Sequence, residues 1–237
     1  MNYKMKNNRI FPSWDDIKSL KQPLTEGELA LGVYLDKNLP SEWEIYMQPY
    51  LNGDRPDIVL LNENVGIMII EVKDYNRELY SSNKIFQNVN GKSKSTIHYY
   101  VNTKNGIQTI ASPVAQVNRY RKKIISLYVP EIGEAIDNNK KAFMVTKIGI
   151  YMHNMNSQEA LELIKDGKYC KVFGKDELFE PRNITKIVTD SRFKYSKYFK
   201  KDWAKKIRPW LIPPYHSIEQ GKDITLIGLS YMTIECL

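Results

Sequence analysis

The sequence predicts a mixed α/β fold, a central sheet with helices on both sides. Three observations predict it. Stretches with helix periodicity carry recognisable start and stop residues. Between them lie short runs of branched and apolar residues of strand length. Their order, helix, antiparallel strands, helix, strand, helix, strand, helix, is that of a layered sandwich. The chain has 237 residues, 42% of them hydrophobic, which is enough for one sizeable core and a small annex.

The first predicted helix runs from Leu24 to Leu39. Thr25 is its N-cap, Glu28 stands at the third helical position, and Pro40 follows the end. Leu31 and Leu35 supply the apolar face, and Leu24 can staple the entry. A strand follows at Trp43 to Tyr50, and a hairpin after it. Residues 74–111 are polar, broken by Gly91 and Gly106, and read as an insert of two or three short strands over one edge of the sheet. A second helix starts with Ser112 as cap and Pro113 at the first position, carries Val117, Ile124 and Tyr128 inward, and stops before Pro130. A buried strand is expected at Ala142 to Thr146, extended by Ile148 to Met152. A short helix from a Ser157 cap to Lys165, a strand at Tyr169 to Phe173 and a helix near Ile184 to Asp190 complete the order.

The formal net charge of +8 favours a polyanionic partner, most simply nucleic acid. The 2 cysteines, Cys170 and Cys236, have no CxxC spacing and suggest neither a zinc site nor a disulfide framework. The 3 histidines, His98, His153 and His216, are scattered without metal-binding spacing. No apolar run reaches membrane-spanning length, and the basic start leads into no hydrophobic signal core, so a soluble, cytoplasmic protein is expected.

The hairpin carries the chemistry. Pro56-Asp57-Ile58-Val59-Leu60-Leu61 and Ile67-Met68-Ile69-Ile70-Glu71-Val72-Lys73 flank the link Asn62-Glu63-Asn64-Val65-Gly66. Folded about Asn64, Leu61 faces Ile67, Ile58 faces Ile70 and Asp57 faces Glu71. Opposed residues of an antiparallel ladder share a face, and Lys73 shares it by alternation. Two adjacent carboxylates repel unless a cation lies between them. A hard divalent metal, Mg2+ or Mn2+, suits such oxygen ligands, with substrate phosphate completing its shell. Solvated charges at a strand end are the plainer alternative for Glu71 and Lys73, and turn chemistry after Pro56 the alternative for Asp57.

Thr25-Glu26-Gly27-Glu28, Leu39-Pro40, Pro56-Asp57, Glu71-Val72-Lys73 and Ser112-Pro113-Val114-Ala115-Gln116 occur in an order that resembles the nuclease-related domain family, NERD, over residues 20–130. That family is placed in the PD-(D/E)xK nuclease superfamily, so the resemblance implies a restriction-endonuclease-like core with a β-rich insert. It implies metal binding by Asp57 and Glu71, joined by the Val72 carbonyl. It implies that Lys73 orients or activates water, or stabilises charge on the phosphate. Glu28 would extend the acidic cluster, and Gln116 with Tyr120 would match a Gln-x-x-x-Tyr pattern that supports the site or contacts nucleic acid. Burial beside a metal would lower the Lys73 pKa. Glu28 has the alternative of closing a capping box with Thr25, and Gln116 that of bonding only Tyr120. Glu26 reads as solvated and Asp54 as a turn residue.

Residues 192–208 are basic and aromatic, and their lysines, Lys194, Lys197, Lys200, Lys201 and Lys205, form a candidate nucleic-acid track. The ring spacing of three and four also fits a helix with a solvated basic face and a buried aromatic face. The domain division is 1–210 for the nuclease-related unit, with the insert at 74–111, and 211–237 for a linker or tail. That tail, with Pro213-Pro214-Tyr215-His216, looks like the connection from such a domain into a superfamily one helicase; no phosphate-binding loop occurs here, so a helicase partner would be a separate chain or be missing from this one. The expected activity is metal-dependent hydrolysis of DNA, with RNA open as a substrate. The rival is a catalytically silent nucleic-acid-binding or docking module.

Overall fold

The computed structural model describes residues 9–212, apart from 19, 21, 52, 90, 91, 168, 189 and 190. The tail 213–237, the basic start, the last two residues of the expected Ile184 to Asp190 helix and the side chain of Lys194 lie outside the described set. In chain order the strands are β1 (Ile10–Phe11), β2 (Glu44–Met47), β3 (Ile58–Asn62), β4 (Gly66–Lys73), β5 (Tyr80–Val89), β6 (Lys92–Thr103), β7 (Gly106–Ile110), β8 (Thr146–Met152) and β9 (Cys170–Gly174). The helices are α1 (Trp14–Ile17), α2 (Glu26–Asn38), α3 (Pro113–Lys123), α4 (Pro130–Asn138), α5 (Ser157–Leu163), α6 (Ile184–Ile187) and α7 (Lys201–Leu211).

The expected α/β architecture is present. A 6-stranded mixed sheet has the order β1-β2-β3-β4-β8-β9, and β5-β6-β7 form a separate 3-stranded antiparallel sheet. β4 and β8 pair in parallel at the centre, and every residue of β3 and β8 is buried, as strands covered on both faces must be. The hairpin register is the expected one: Leu61 pairs Ile67 and Ile58 pairs Ile70. One face of the sheet packs Val59, Leu61, Ile67 and Ile69 against Val117, Tyr120 and Ile124 of the α3 region, with Trp203 and Ile207 of α7. The other packs Ile58, Leu60, Met68, Ile70 and Val72 under Leu31 and Leu35 of α2. Alternation therefore sends Glu71 and Lys73 to the α3 side.

α2 forms as the sequence predicts, with Thr25 and Glu28 closing a capping box. Its start sits tightly on the sheet. A Cβ on Gly27 would stand 2.9 Å from both the Val72 side chain and the His153 Cβ, and only glycine permits that approach.

Several elements differ from expectation. The strand predicted over Trp43 to Tyr50 ends at Met47, because Gln48 takes a left-handed φ of 46° and the ladder cannot continue through it. The second helix is α-helical only to Lys123; a π-turn at Ile124–Tyr128 completes it. Pro130 does not merely end that helix but opens α4 from its first position. Ala142 to Val145, predicted as strand, belong to a 3-10 segment (Lys140–Val145) capped by Asn139, and the strand begins at Thr146. A short apolar run does not distinguish the two. α5 is capped by Asn156, in a box with Glu159, rather than by Ser157. The insert strands are longer than expected, reaching 12 residues in β6.

Candidate active site at the open end of the hairpin

The β3–β4 pairing ends at Ile58 and Ile70, remote from the turn, and the charged residues collect just beyond it. The Asp57 Oδ2 accepts the Val72 backbone N–H at 2.6 Å, which fixes the carboxylate across the strand ends. The Glu71 Oε1 accepts from Lys73 Nζ at 2.6 Å. Lys73 Nζ also donates to Gln116 Oε1 at 3.3 Å, and Gln116 Nε2 donates to the Tyr120 hydroxyl at 3.0 Å. Gln116 thus bonds Tyr120, as one alternative held, and also ties α3 to the lysine. From the α2 side Glu28 enters, 3% exposed. One of its oxygens accepts the Thr25 backbone N–H at 2.6 Å, and both accept from Gln48 Nε2 at 3.0 Å. The capping role of Glu28 and its place beside the cluster therefore coexist.

Burial decides the electrostatics. Burial first, and the charge of Glu71 second, push the Asp57 carboxyl up to about 9, against the opposing Val72 N–H. Glu71, 1% exposed, is also raised, first by burial and further by Glu28, while Lys73 pulls it down. Asp57 pulls Glu71 down in the same direction as Lys73, more weakly. Lys73 carries the opposite charge in the metal-free site. Burial pushes it down, but Glu71 outweighs that effect and its pKa is raised, so in this state it is a fixed positive charge rather than a base.

The donor set bears on whether a cation fits. Glu71 Oε2 and Gln48 Oε1 are buried with no hydrogen-bond partner. An unpartnered buried carboxylate oxygen beside a second raised carboxyl is what a hard cation would satisfy. Among the described residues no three His, Cys, Asp or Glu side chains gather closely enough to hold a metal by themselves. The set matches magnesium chemistry, in which one or two carboxylates are completed by water and substrate phosphate.

The structure brings together Asp57, Glu71, Val72, Lys73, Glu28, Gln116 and Tyr120. It places the candidate track elsewhere. Lys201 contacts Glu63 in the hairpin turn at 3.5 Å, and Arg208 grips Glu44 at 2.6 Å and Glu63 at 3.2 Å. The five residues of β3 separate that turn from the acidic cluster, about 17 Å at strand rise. Lys197 lies over the Tyr198 ring, Lys200 over Trp203, and Lys205 pairs with Asp202. Phe199 and Trp203 are buried, so the rings face the core and the lysines face solvent.

Three nearby residues escaped the sequence reading. Gln48, 5% exposed, braces Glu28 through its side chain and the Asp57 carbonyl through its N–H at 2.7 Å. No sequence signal marks its left-handed backbone. Tyr75 lies 5.9 Å from Lys73 Nζ and stacks on Tyr80; continuing the alternation two residues past Lys73 would have found it. Arg119 lies over the Tyr120 ring and pairs with Asp54, which also meets Lys123 at 2.6 Å, so Asp54 is an ionic partner of α3 as well as a turn residue.

Among the described residues no helix is long and apolar enough to cross a membrane. No curated protein and no solved structure matches the chain. The nuclease-related domain family matches residues 24–148, from the entry of α2 into β8, a window that contains Glu28, Asp57, Glu71, Lys73 and Gln116. More than half of the chain lies in that window, and the protein belongs to the nuclease-related domain (NERD) family.

Proposed function

We propose that this protein is a nuclease of the PD-(D/E)xK type that hydrolyses phosphodiester bonds in DNA with Mg2+ or Mn2+. The observation that carries the reading is the buried Asp57–Glu71 pair, both carboxyls raised, one oxygen unpartnered, beside a charged lysine. Perturbed acids of this kind concentrate where chemistry is done.

Asp57 and Glu71 would hold the cation, with the Val72 carbonyl as a further oxygen. Bound there, such a cation lowers the pKa of water and neutralises phosphate charge. The remaining work falls to side chains. Holding a cation would require the Asp57 carboxyl to give its proton to solvent, leaving both carboxylates charged. Lys73, held by Gln116 and Tyr120, presents its ammonium to a phosphate oxygen and stabilises the charge that develops on it. Glu28 and Gln48 brace the acidic wall from the α2 side. Tyr75 supplies an aromatic surface at the mouth.

The competing reading, nucleic-acid binding without hydrolysis, rests on the absence of a complete three-ligand cluster among the described residues. Purified protein incubated with single- and double-stranded DNA and manganese separates the two. The proposal requires cleavage that EDTA stops and that Asp57→Ala and Glu71→Ala lose. Cleavage indifferent to both changes, or none with any substrate, overturns it. Parallel assays on RNA fix the substrate class.

A further inference from the structure

We propose that the β5–β7 sheet is a nucleic-acid-gripping arm, which holds the bound strand beyond the acidic cluster at a projecting end that carries Lys84 and Phe86. The inference rests on the nuclease reading and extends it to a surface that the site itself does not include.

Charge is the first argument. From Tyr80 to Ile110 the sequence contains Lys84, Lys92, Lys94 and Lys104 and no aspartate or glutamate, although the chain holds 27 acidic residues. Lys84 and Lys104, whose side chains are described, are exposed and make no ion pair among the described residues. Around the hairpin and α3 several basic residues are matched: Arg208, Lys201, Lys205, Lys123 and Arg119 all meet carboxylates. Unopposed positive charge is complementary to phosphate.

Shape is the second. The root of the arm is anchored. Ser82 Oγ donates to the Leu163 carbonyl at 2.6 Å, and Tyr99, 1% exposed, bonds Asp166 through its hydroxyl. Beyond Ser82 the strand emerges: Asn83, Lys84 and Phe86 are exposed, as are Ser95, which pairs Phe86, and Thr96, which pairs Ile85. The distal hairpin therefore projects from the body.

Continuity is the third. Tyr80 stacks on Tyr75 with ring centroids 3.9 Å apart, and Tyr75 adjoins Lys73. By strand alternation Tyr80, Ser82, Lys84 and Phe86 share one face, which is covered by the body at Ser82 and open again at Lys84 and Phe86. Lys84 Nζ lies 5.0 Å from the centroid of the Phe86 ring, so the tip pairs a cation with an aromatic surface. Rings for bases and lysines for phosphates are the usual elements of a strand-binding groove. Phe86 is 66% exposed and Ile107 74%, but alternation puts them on opposite faces, so they form no continuous apolar patch of the kind a protein partner covers. From Tyr80 to Phe86 the arm spans about 20 Å, roughly six nucleotides of extended or duplex strand.

The test is DNA binding by the full chain in EDTA, which removes hydrolysis from the readout. Fluorescence anisotropy compares wild type with Lys84→Glu and Phe86→Ala on DNA of increasing length. Both side chains are exposed, so the thermal midpoints should match wild type; Lys84→Gln serves if the glutamate variant does not fold. The expected result is about tenfold weaker binding of long DNA by Lys84→Glu, with the salt slope reduced by about one. Phe86→Ala should lose roughly three- to tenfold, in keeping with one base stack. The loss should shrink on DNA too short to reach six nucleotides past the site. Equal affinity and equal salt slope on long DNA would overturn the arm, as would no DNA binding by the wild type. Arm-dependent binding without metal-dependent cleavage would retain the arm and reject the nuclease; cleavage with no arm dependence would do the reverse.

Discussion

The two ends of the β3–β4 hairpin carry similar residues and treat them in opposite ways. At the turn end, Glu44 and Glu63 meet Arg208 and Lys201, two acids against two bases, at the surface. The hydrogen bond from Arg208, with Lys201 nearby, holds Glu63 below the usual carboxylate range. At the open end the buried acids Asp57 and Glu71 lie beside a single lysine, with Glu28 close by, and Asp57 and Glu71 are raised. Matched, solvated charge is a structural clamp, whereas unmatched, buried charge is tolerated only where something else completes it. The difference separates a fold-stabilising cluster from a candidate site on one piece of chain.

The sharpest break in the comparison is removal of an acid at each end. Asp57→Ala or Glu71→Ala should lower metal-dependent cleavage by about a thousandfold or more, since each removes a ligand of the cation. Arg208→Ala at the turn end should leave cleavage nearly unchanged. Gln116→Ala comes next. It frees Lys73 from α3 and should cost about 10- to 100-fold in turnover, the scale of supporting contacts around a reactive centre, with little change in metal affinity. Turnover equal to wild type would reduce Gln116 to a helix-surface residue.

pH distinguishes the ends through stability. Asp57 rises from 3.8 to about 9, so the folded state holds a proton that the unfolded chain has lost. Stability of the metal-free protein therefore falls as pH climbs from about 4 to about 9 and is unaffected by this group below that window. Asp57→Asn should flatten the slope and melt higher than wild type near pH 8, at about 2–4 °C per kcal/mol for a chain of this size. The turn end has the opposite sign: Glu63 is lowered, and its contribution is present above the ordinary carboxylate range and lost on acidification. The smallest effect is Arg208→Ala, which should cost about 1 kcal/mol in thermal or urea unfolding.

How much of this was legible in the sequence follows from range. The hairpin register was, because a short link and continuous apolar strands leave one pairing that buries both faces. So were the capping box at Thr25 and Glu28 and the proximity of Gln116 to Tyr120, which are contacts within one helix. The left-handed Gln48 was not, since nothing local demands it. The sign of the Lys73 shift was not, because it depends on the balance between burial and Glu71. The basic segment was recognisable as an amphipathic helix, but its docking beside Glu63, far from Asp57, is a tertiary fact with no local signature. The charge asymmetry of the insert was present in the letters; its projection from the body required the fold.

Manganese binding to the metal-free protein, followed by titration calorimetry near pH 7.5 in buffers of different ionisation enthalpy and repeated with Asp57→Asn, tests the open end most directly. The account predicts saturable binding with release of about one proton in the wild type, strengthened by DNA, and loss of both signals in the variant. Binding of equal strength in the two proteins, or no binding with or without DNA, would contradict it.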